Sequence, residues 1–323
     1  MRTRLLALAA ALPLLTGAAP AMAGGAASAA VAGTGAPAAR AAASGPCGTL
    51  ASPPAYTHVI WLWLENHSYG TIIGSPQAPY LNSLATDCGL ATNYHNITHK
   101  SLANYVGATS GLGYQALAKF TGDCSPLPGC TTTAPSIFGQ GETWKAYQES
   151  MPSTCDTKNS GEYAVHHDPP PYFTTLAGCA TSDVPYTQLA RDLAAGTLPA
   201  FSFITPNLLD DMHTGTIAEG DRWLAASLPA ILDSHEYRDG STAVFLTWDE
   251  GHHGTVGEKC AANTTDQSCH IATIVISPST RPGTKPAALF NHYSLLRTAE
   301  QLLGLPLLGK AASYPSMVAA FQL

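Results

Sequence analysis

The chain has 323 residues, of which 11% are charged, and its formal net charge is −7 at pH 7. This acidic balance argues against binding to the backbone of a nucleic acid, which needs a surplus of Lys and Arg. The hydrophobic share of 45% and the low charged fraction predict a folded globular protein rather than a disordered one.

The first 23 residues predict a secretory signal peptide. Arg2 and Arg4 supply positive charge, residues 5–15 are apolar, and Ala21-Met22-Ala23 fits a cleavage site. No other stretch approaches the roughly 20 apolar residues of a membrane span. We therefore expect a secreted, extracellular protein without a stable membrane anchor.

The rest of the chain is predicted to form a leader and one domain. Residues 24–46 are rich in Ala and Gly, which predicts a flexible leader. Residues 47–323 are predicted to be a single domain, with a disulfide-pinned insertion around residues 112–185. The sequence does not indicate an oligomeric state.

Apolar runs and periodic segments alternate along this domain. Four runs predict buried strands, at residues 57–64, 200–205, 243–248 and 271–276. Six segments predict helices, at residues 79–86, 102–109, 143–149, 186–195, 221–233 and 292–303. This alternation predicts a three-layer α/β/α sandwich with a central, mainly parallel sheet.

Eight cysteines, an even number without any C-x-x-C pair, indicate disulfides in an oxidising compartment. Sequence alone leaves 105 pairings open. Short loops close easily, which favours pairing between cysteines that are close in the chain. The preferred pairs are Cys47 with Cys88, Cys124 with Cys130, Cys155 with Cys179, and Cys260 with Cys269.

Two acidic pairs follow the ends of two predicted central strands. Glu65-Asn66 follows the run at 57–64, and Asp249-Glu250 follows the run at 243–248. In open α/β sheets, ligands bind outside the carboxyl ends of the strands. Carboxylate and amide oxygens at one sheet edge predict a site for one divalent cation, and oxygen ligands favour Mg²⁺, Mn²⁺ or Ca²⁺ over Zn²⁺. The alternative for each pair alone is an ordinary turn.

Ser101 is the candidate nucleophile. It opens a predicted helix, so it is equally suited to being a plain N-cap. A helix N-terminus also attracts a phosphoryl oxygen, and His99 and Asn104 would add polar contacts. A cation beside a hydroxyl nucleophile is typical of phosphoryl transfer.

Histidines near the predicted strand ends complete the candidate site. His167 lies in a Pro-rich loop, His213 follows the strand at 200–205, and His292 opens a predicted helix. A single loop histidine is more often solvated than functional, but several of them after strand ends favour a role in binding phosphoryl oxygens or moving protons. Asp211 is expected to orient His213.

Six segments resemble one known family. They are HVIWLWLENHSYGTIIG, THKSLANYVGATSG, YAVHHDPPPYF, FITPNLLDDMHTGTIAEGDRWL, TAVFLTWDEG and NHYSLLRTAEQLLGLPLLG. Together they are similar to the bacterial phosphoesterases of the secreted acid phosphatase and phospholipase C type, within the alkaline-phosphatase-like superfamily. The resemblance places Ser101 at the nucleophile position and Asn104 at the position of a functional asparagine.

The resemblance implies a secreted, metal-dependent phosphatase that hydrolyses phosphate monoesters through a phosphoserine. The chain is short for the phospholipase branch, which favours the small acid phosphatases and leaves phosphoinositides open as substrates. One alternative is a phospholipase C or phosphodiesterase that acts on phospholipid or other diesters. Another is a non-catalytic secreted binding protein of the same fold. A sulfatase is disfavoured, because no cysteine stands in a C-x-P-x-R context.

Overall fold

The computed structural model describes residues 45–323, so the predicted signal peptide and most of the predicted leader lie outside the described residues. Within them, one sheet contains eight strands: β1 His58–Leu64, β2 Gly89–His95, β3 Trp144–Gln148, β4 Asp183–Pro185, β5 Phe201–Thr205, β6 Thr242–Trp248, β7 His270–Ile276 and β8 Phe290–Asn291.

Helices connect these strands. The α-helices are α1 Tyr69–Ile72, α2 Pro79–Asp87, α3 Ser101–Ser110, α4 Tyr114–Leu117, α5 Cys179–Ser182, α6 Thr187–Ala195, α7 Ile217–Leu232, α8 His235–Arg238, α9 His292–Leu302 and α10 Val318–Phe321. Short 3-10 helices cover Ala118–Phe120, Ile137–Gly139, Val165–His167, Pro170–Tyr172, Gln267–Cys269 and Gly309–Ser313.

The strand order is β4-β3-β5-β1-β6-β7-β2-β8. Strand β7 is antiparallel to both of its neighbours, and the other adjacent pairs run parallel. Helices cover both sides: α3 packs against α9, while α2 and α6 pack against α7. The three-layer fold with a mainly parallel sheet is therefore confirmed.

Strands β1 and β6 form the centre of the sheet and determine where the site lies. Every residue of β6 is buried, and so is all of β1 except its first residue, because apolar side chains point to both helix-covered faces. The two strands pair in register, with Leu64 opposite Trp248. Consequently Glu65 and Asp249 leave the sheet side by side.

Two predicted helices differ from the observed elements. The predicted helix at 143–149 is wrong, because residues 144–148 form strand β3, which pairs with β5 and β4. Trp144 and Ala146 are more buried than Lys145 between them. This alternation is typical of a strand, but the seven residues at 143–149 are too few to show it clearly in the sequence. Helix α7 begins four residues earlier than predicted, at a capping box formed by Thr216 and Glu219.

All four preferred disulfides are present, namely Cys47–Cys88, Cys124–Cys130, Cys155–Cys179 and Cys260–Cys269. Two of them lie within residues 112–185, the segment predicted as an insertion. That segment also contributes strands β3 and β4 to one edge of the sheet.

Among residues 45–323, no helix is long and apolar enough to cross a bilayer.

Candidate active site

Buried carboxyl groups meet at the carboxyl ends of β1 and β6. Glu65, Asp249 and Glu250 are buried at this edge, together with Asp211 from the loop after β5. The backbone N–H of Glu65 donates to the Asp211 carbonyl at 2.8 Å, and that of Asp249 donates to the Leu64 carbonyl at 2.9 Å. These bonds hold the three chain segments together at the sheet edge.

Asn66 joins the two acidic pairs. Its backbone N–H donates to Asp249 Oδ1 at 3.0 Å, and its side-chain amide donates to Glu65 Oε2 at 2.9 Å. Asn66 has a φ of 53°, a left-handed conformation that Asn tolerates better than most residues. This turn places the backbone N–H of Asn66 next to Asp249 and its side-chain amide next to Glu65.

The Ser101 hydroxyl points into the carboxyl cluster. Lys100 is the N-cap of α3 and Ser101 is its first residue, with no capping bond from either side chain. Asp123 caps the helix instead, since its Oδ1 accepts from the Leu102 N–H at 3.1 Å. The Ser101 Oγ donates to Glu65 Oε2 at 3.1 Å. The hydroxyl is therefore not used by its own helix.

Asn104 organises the loop before the nucleophile. Its Oδ1 accepts from the N–H groups of Ile97 and Thr98 at 2.9 and 3.1 Å. Its amide donates to the Thr98 carbonyl at 2.8 Å and to Glu250 Oε2 at 3.2 Å. These contacts use the side chain to position the loop, rather than leaving it free to contact a phosphoryl oxygen.

His167 is bound by Asp211. The His167 Nδ1 lies 3.1 Å from Asp211 Oδ2, and its Nε2 lies 3.4 Å from Glu65 Oε2. The His213 backbone N–H donates to Asp211 Oδ1 at 2.7 Å. Asp211 was expected to orient the His213 imidazole; its carboxylate instead contacts the His167 ring and the His213 backbone. The His213 ring is exposed and lies 5.4 Å from that of His167.

His99 and His292 lie behind the carboxylates and are buried. The His99 Nδ1 lies 3.0 Å from Glu250 Oε2. The His292 Nε2 bonds to the Asp249 carbonyl at 2.7 Å, and its Nδ1 bonds to the Tyr94 hydroxyl at 3.1 Å. With both nitrogens occupied, His292 supports the loop of Asp249 and has none left for a phosphoryl oxygen.

The carboxyl cluster is electrostatically unfavourable without a counter-charge. Burial, followed by the charges of Asp249 and Asp211, raises the pKa of Glu65 well above its usual value. Burial and the Glu250 charge do the same to the pKa of Asp249. Burial raises the pKa of Asp211 to about 8. Within residues 45–323, no Lys or Arg forms an ion pair with these four groups.

These residues fit a bound cation. The buried Asp249 Oδ2 and His167 Nε2 have no hydrogen-bond partner, and such unpaired groups are costly in a protein interior. Glu65, His167 and Asp211 each offer a ligand atom within 4.8 Å of the others. Oxygen-rich ligand sets of this kind suit divalent cations. Of the four predicted cation ligands only Glu65 belongs to this group, so Asn66, Asp249 and Glu250 as ligands stay a prediction.

Two residues of the site, Tyr105 and His166, were not predicted from the sequence. The Tyr105 hydroxyl donates to Glu65 Oε1, and its ring stacks on that of His167 at 5.6 Å. His166, His167 and His213 form a group whose ring nitrogens lie within 4.8 Å of one another. Tyr105 lies four residues after Ser101, one helical turn away, and this spacing was the available signal.

The fold has relatives among solved structures. A protein of the alkaline phosphatase superfamily from Vibrio parahaemolyticus superposes with a TM-score of 0.53 at 14% identity, covering 85% of this chain and 73% of that one. The similarity shows that the two proteins share a fold. The site at the carboxyl ends of β1 and β6 lies where open α/β sheets bind their ligands.

Sequence comparison identifies the family. The chain belongs to the Phosphoesterase family, whose sequence pattern matches residues 63–306, and it is a phosphoric ester hydrolase. It is 31% identical to the phosphatidylinositol-3-phosphatase of Mycobacterium tuberculosis over 81% of this chain and 82% of that protein. It is 26% identical to a phosphate-repressible acid phosphatase of Penicillium chrysogenum over 79% of this chain, but spans only 61% of that protein.

Proposed function

We propose that this protein is a secreted, metal-dependent phosphatase that hydrolyses phosphate monoesters through a phosphoserine on Ser101. The observation that carries the proposal is the hydrogen bond from the Ser101 hydroxyl to Glu65, made inside a cluster of buried carboxyls. A hydroxyl that only capped its helix would instead accept a backbone N–H of its own first turn.

Glu65, Asn66, Asp249 and Glu250 would hold one divalent cation. A cation there would neutralise the phosphoryl oxygens and make the Ser101 hydroxyl easier to ionise. Support comes from the unpaired Asp249 Oδ2 and from the charges that raise the carboxyl pKa values. The identity of the ion is open, since the oxygen ligands suit several divalent metals.

The chain's own residues would carry the chemistry in two steps. Glu65 Oε2 would take the proton of Ser101 as its Oγ bonds to phosphorus and the bond to the leaving oxygen breaks. The exposed His213 would protonate that leaving oxygen. Water would then attack the phosphorus of the phosphoserine and give a proton to His213, while the bond from phosphorus to Ser101 Oγ breaks and Glu65 returns its proton to Oγ, which releases phosphate and restores the serine hydroxyl.

The remaining candidates would divide into contact and positioning roles. With the Asp211 carboxyl protonated and donating to Nδ1, His167 would present an Nε2–H group that donates to a phosphoryl oxygen. His99, Asn104 and His292 would position Glu250, the nucleophile loop and the loop of Asp249, respectively. This division follows from how many polar atoms of each side chain are already hydrogen-bonded.

The substrate would be a small phosphate monoester. Relatives named acid phosphatase and phosphatidylinositol-3-phosphatase support this class and keep a phosphorylated lipid headgroup open. Hydrolysis of diesters, as by a phospholipase C, is the second candidate. Secretion is supported by the predicted signal peptide and by four disulfides, which are typical of oxidising compartments.

Acid quench during turnover tests the nucleophile. We expect phosphate on Ser101 by mass spectrometry, and a fall in kcat of roughly 10³-fold or more in Ser101→Ala. Ser110→Ala, in the same helix, is the matched control, since the Ser110 hydroxyl donates to the Val106 carbonyl and accepts from the Leu112 N–H, and among the described residues it makes no hydrogen bond to the carboxyl cluster. Near-normal turnover in Ser101→Ala would refute the assignment.

A matched pair of esters tests the substrate class. We expect kcat/KM for a soluble monoester to exceed that for the corresponding diester at the same pH. A diester preferred by tenfold or more would replace the phosphatase proposal with the phosphodiesterase or phospholipase alternative. Release of diacylglycerol from vesicles would identify the phospholipase.

A further inference from the structure

A pocket of about 560 Å³ adjoins the candidate active site. It is lined by His67, Ser68, Gly70, Thr71, Ile217, His252, His253 and Gln267. Its volume lies within the range of small-molecule sites, roughly 300–1,000 Å³. None of these residues belongs to the proposed nucleophile or the proposed cation ligands.

The pocket begins where the two acidic pairs end. His67 and Ser68 follow Glu65-Asn66 directly, and His252 and His253 follow Asp249-Glu250 after one glycine. The His252 backbone N–H donates to Ser68 Oγ at 3.2 Å, which ties the two segments together. A molecule bound at the acidic pairs would therefore extend into this pocket.

The close approach of these segments requires a glycine at position 251. A Cβ at that position would lie 2.4 Å from the Ser268 carbonyl oxygen and 2.6 Å from Ser68 Oγ, so no larger residue fits. The chain consequently turns from Glu250 into the pocket wall within one residue. The wall is therefore rigidly connected to the carboxyl cluster.

The lining has no Lys, Arg, Asp or Glu. Its polar groups are imidazoles, hydroxyls and an amide, which exchange hydrogen bonds with uncharged hydroxyl groups. Ile217 and the imidazole faces provide apolar surface against which a ring can pack. A second phosphate would find no Lys or Arg here, although such partners normally bind it.

One polar atom of the wall lacks a partner. The Nε2 of His67 is buried and makes no hydrogen bond within the described residues, and its ring lies 6.3 Å from that of His252. A buried nitrogen without a partner is unfavourable. The pocket wall therefore contains an unused hydrogen-bonding atom, which lies beneath its surface.

We propose that this pocket receives the uncharged, ring-containing alcohol part of the phosphate monoester, while phosphorus lies at Ser101. The pocket would thus determine which esters are hydrolysed fastest. The inference rests on the proposed function, because it assumes that Ser101 and the acidic pairs hold the phosphoryl group.

Gly70 allows the pocket to be filled without touching the carboxyl cluster. A Cβ at Gly70 meets no atom within 4 Å, and its φ is not positive. In Gly70→Leu, kcat/KM for phenyl phosphate and for inositol 1-phosphate should fall about tenfold, the scale of a lost apolar contact. The value for methyl phosphate, whose leaving group is small, should stay within about twofold.

Gly139→Leu is the matched control, since Gly139 is exposed, its φ is not positive, and its Cβ would meet only Leu176 at 3.7 Å. It should leave all three substrates unchanged. If Gly70→Leu does not fold, as judged by its thermal transition, Thr71→Phe fills the same pocket from an exposed position.

Three results would overturn the proposal. They are an equal loss for all three substrates, no loss for any of them, and faster hydrolysis of inositol 1,4-bisphosphate than of inositol 1-phosphate by the unmodified protein. Failure of the proposed function looks different, because the unmodified protein would then hydrolyse none of these monoesters.

Discussion

Two clusters of buried carboxyl groups differ in their partners. Asp168 is buried beside Asp183, and its oxygens accept from Gln148 Nε2 at 3.0 Å and from the Tyr163 hydroxyl at 2.7 Å. Asp249, in the candidate site, has one oxygen with no partner. Burial raises the pKa of a carboxyl in both clusters, that of Asp168 to about 7.

The comparison teaches that burial and a raised pKa do not by themselves indicate function. What distinguishes Asp168 from Asp249 is that both oxygens of Asp168 have donors, whereas Asp249 Oδ2 has none among residues 45–323; Asp183 Oδ1, beside Asp168, also lacks one. Asp168 receives its donors from Gln148 and Tyr163 of its own segment, which is typical of a structural network. The Asp249 cluster is incomplete without a further positive partner. Adjacent residues can take the two roles, since His167 contacts one cluster and Asp168 the other.

Among changes to these two clusters, Asp249→Asn should have the largest effect. Loss of a charged cation ligand should lower kcat/KM by about 10²-fold or more, because removing even an outer partner of a metal site costs 10–100-fold. Bound metal per protein, measured by elemental analysis, should fall in parallel. Retention of both activity and metal would contradict the assigned role of Asp249.

Removing the Cys155–Cys179 disulfide should affect stability and leave the chemistry intact. The bridge closes a loop of 24 residues, so the Cys155→Ala/Cys179→Ala variant should lose about 3 kcal/mol of unfolding free energy. Denaturant unfolding measures this loss. The kcat/KM of the folded variant should stay near that of the parent, and a large fall would show that this edge of the sheet shapes the site.

Asp168→Asn is the structural counterpart of Asp249→Asn. The amide retains one acceptor but opposes the Tyr163 hydroxyl with a donor, so unfolding should become easier by about 1–3 kcal/mol. Metal content should not change. A loss of metal equal to that in Asp249→Asn would remove the distinction between the two clusters.

The smallest effect concerns pH. The pKa of Asp211 is raised to about 8 in the folded protein. The folded protein therefore binds more protons at this carboxyl than the unfolded protein does. That contribution to stability is present below about pH 4 and is lost as the pH rises toward 8. The Tm of metal-free protein should therefore fall over this range, and less steeply in Asp211→Asn. An unchanged slope in the variant would contradict the assignment.

Sequence alone determined the features that depend on strong local patterns. The apolar runs of β1 and β6 can only be buried in the middle of a sheet, and parallel pairing then brings Glu65 and Asp249 to one edge. Short loops favoured the four cysteine pairs that the structure contains. Ser101 was predicted as the nucleophile from its place at the start of a predicted helix, but its bond to Glu65 was not predicted.

Tertiary structure alone decided the features that depend on partners distant in the chain. Residues 144–148 form a strand because β5 and β4 pair with them, and their own pattern is too short to exclude a helix. Asp211 contacts the His167 ring, which lies 44 residues away, rather than that of its neighbour His213. Periodicity reports which face of an element is buried, whereas hydrogen-bond partners and the pocket wall depend on how separate elements pack.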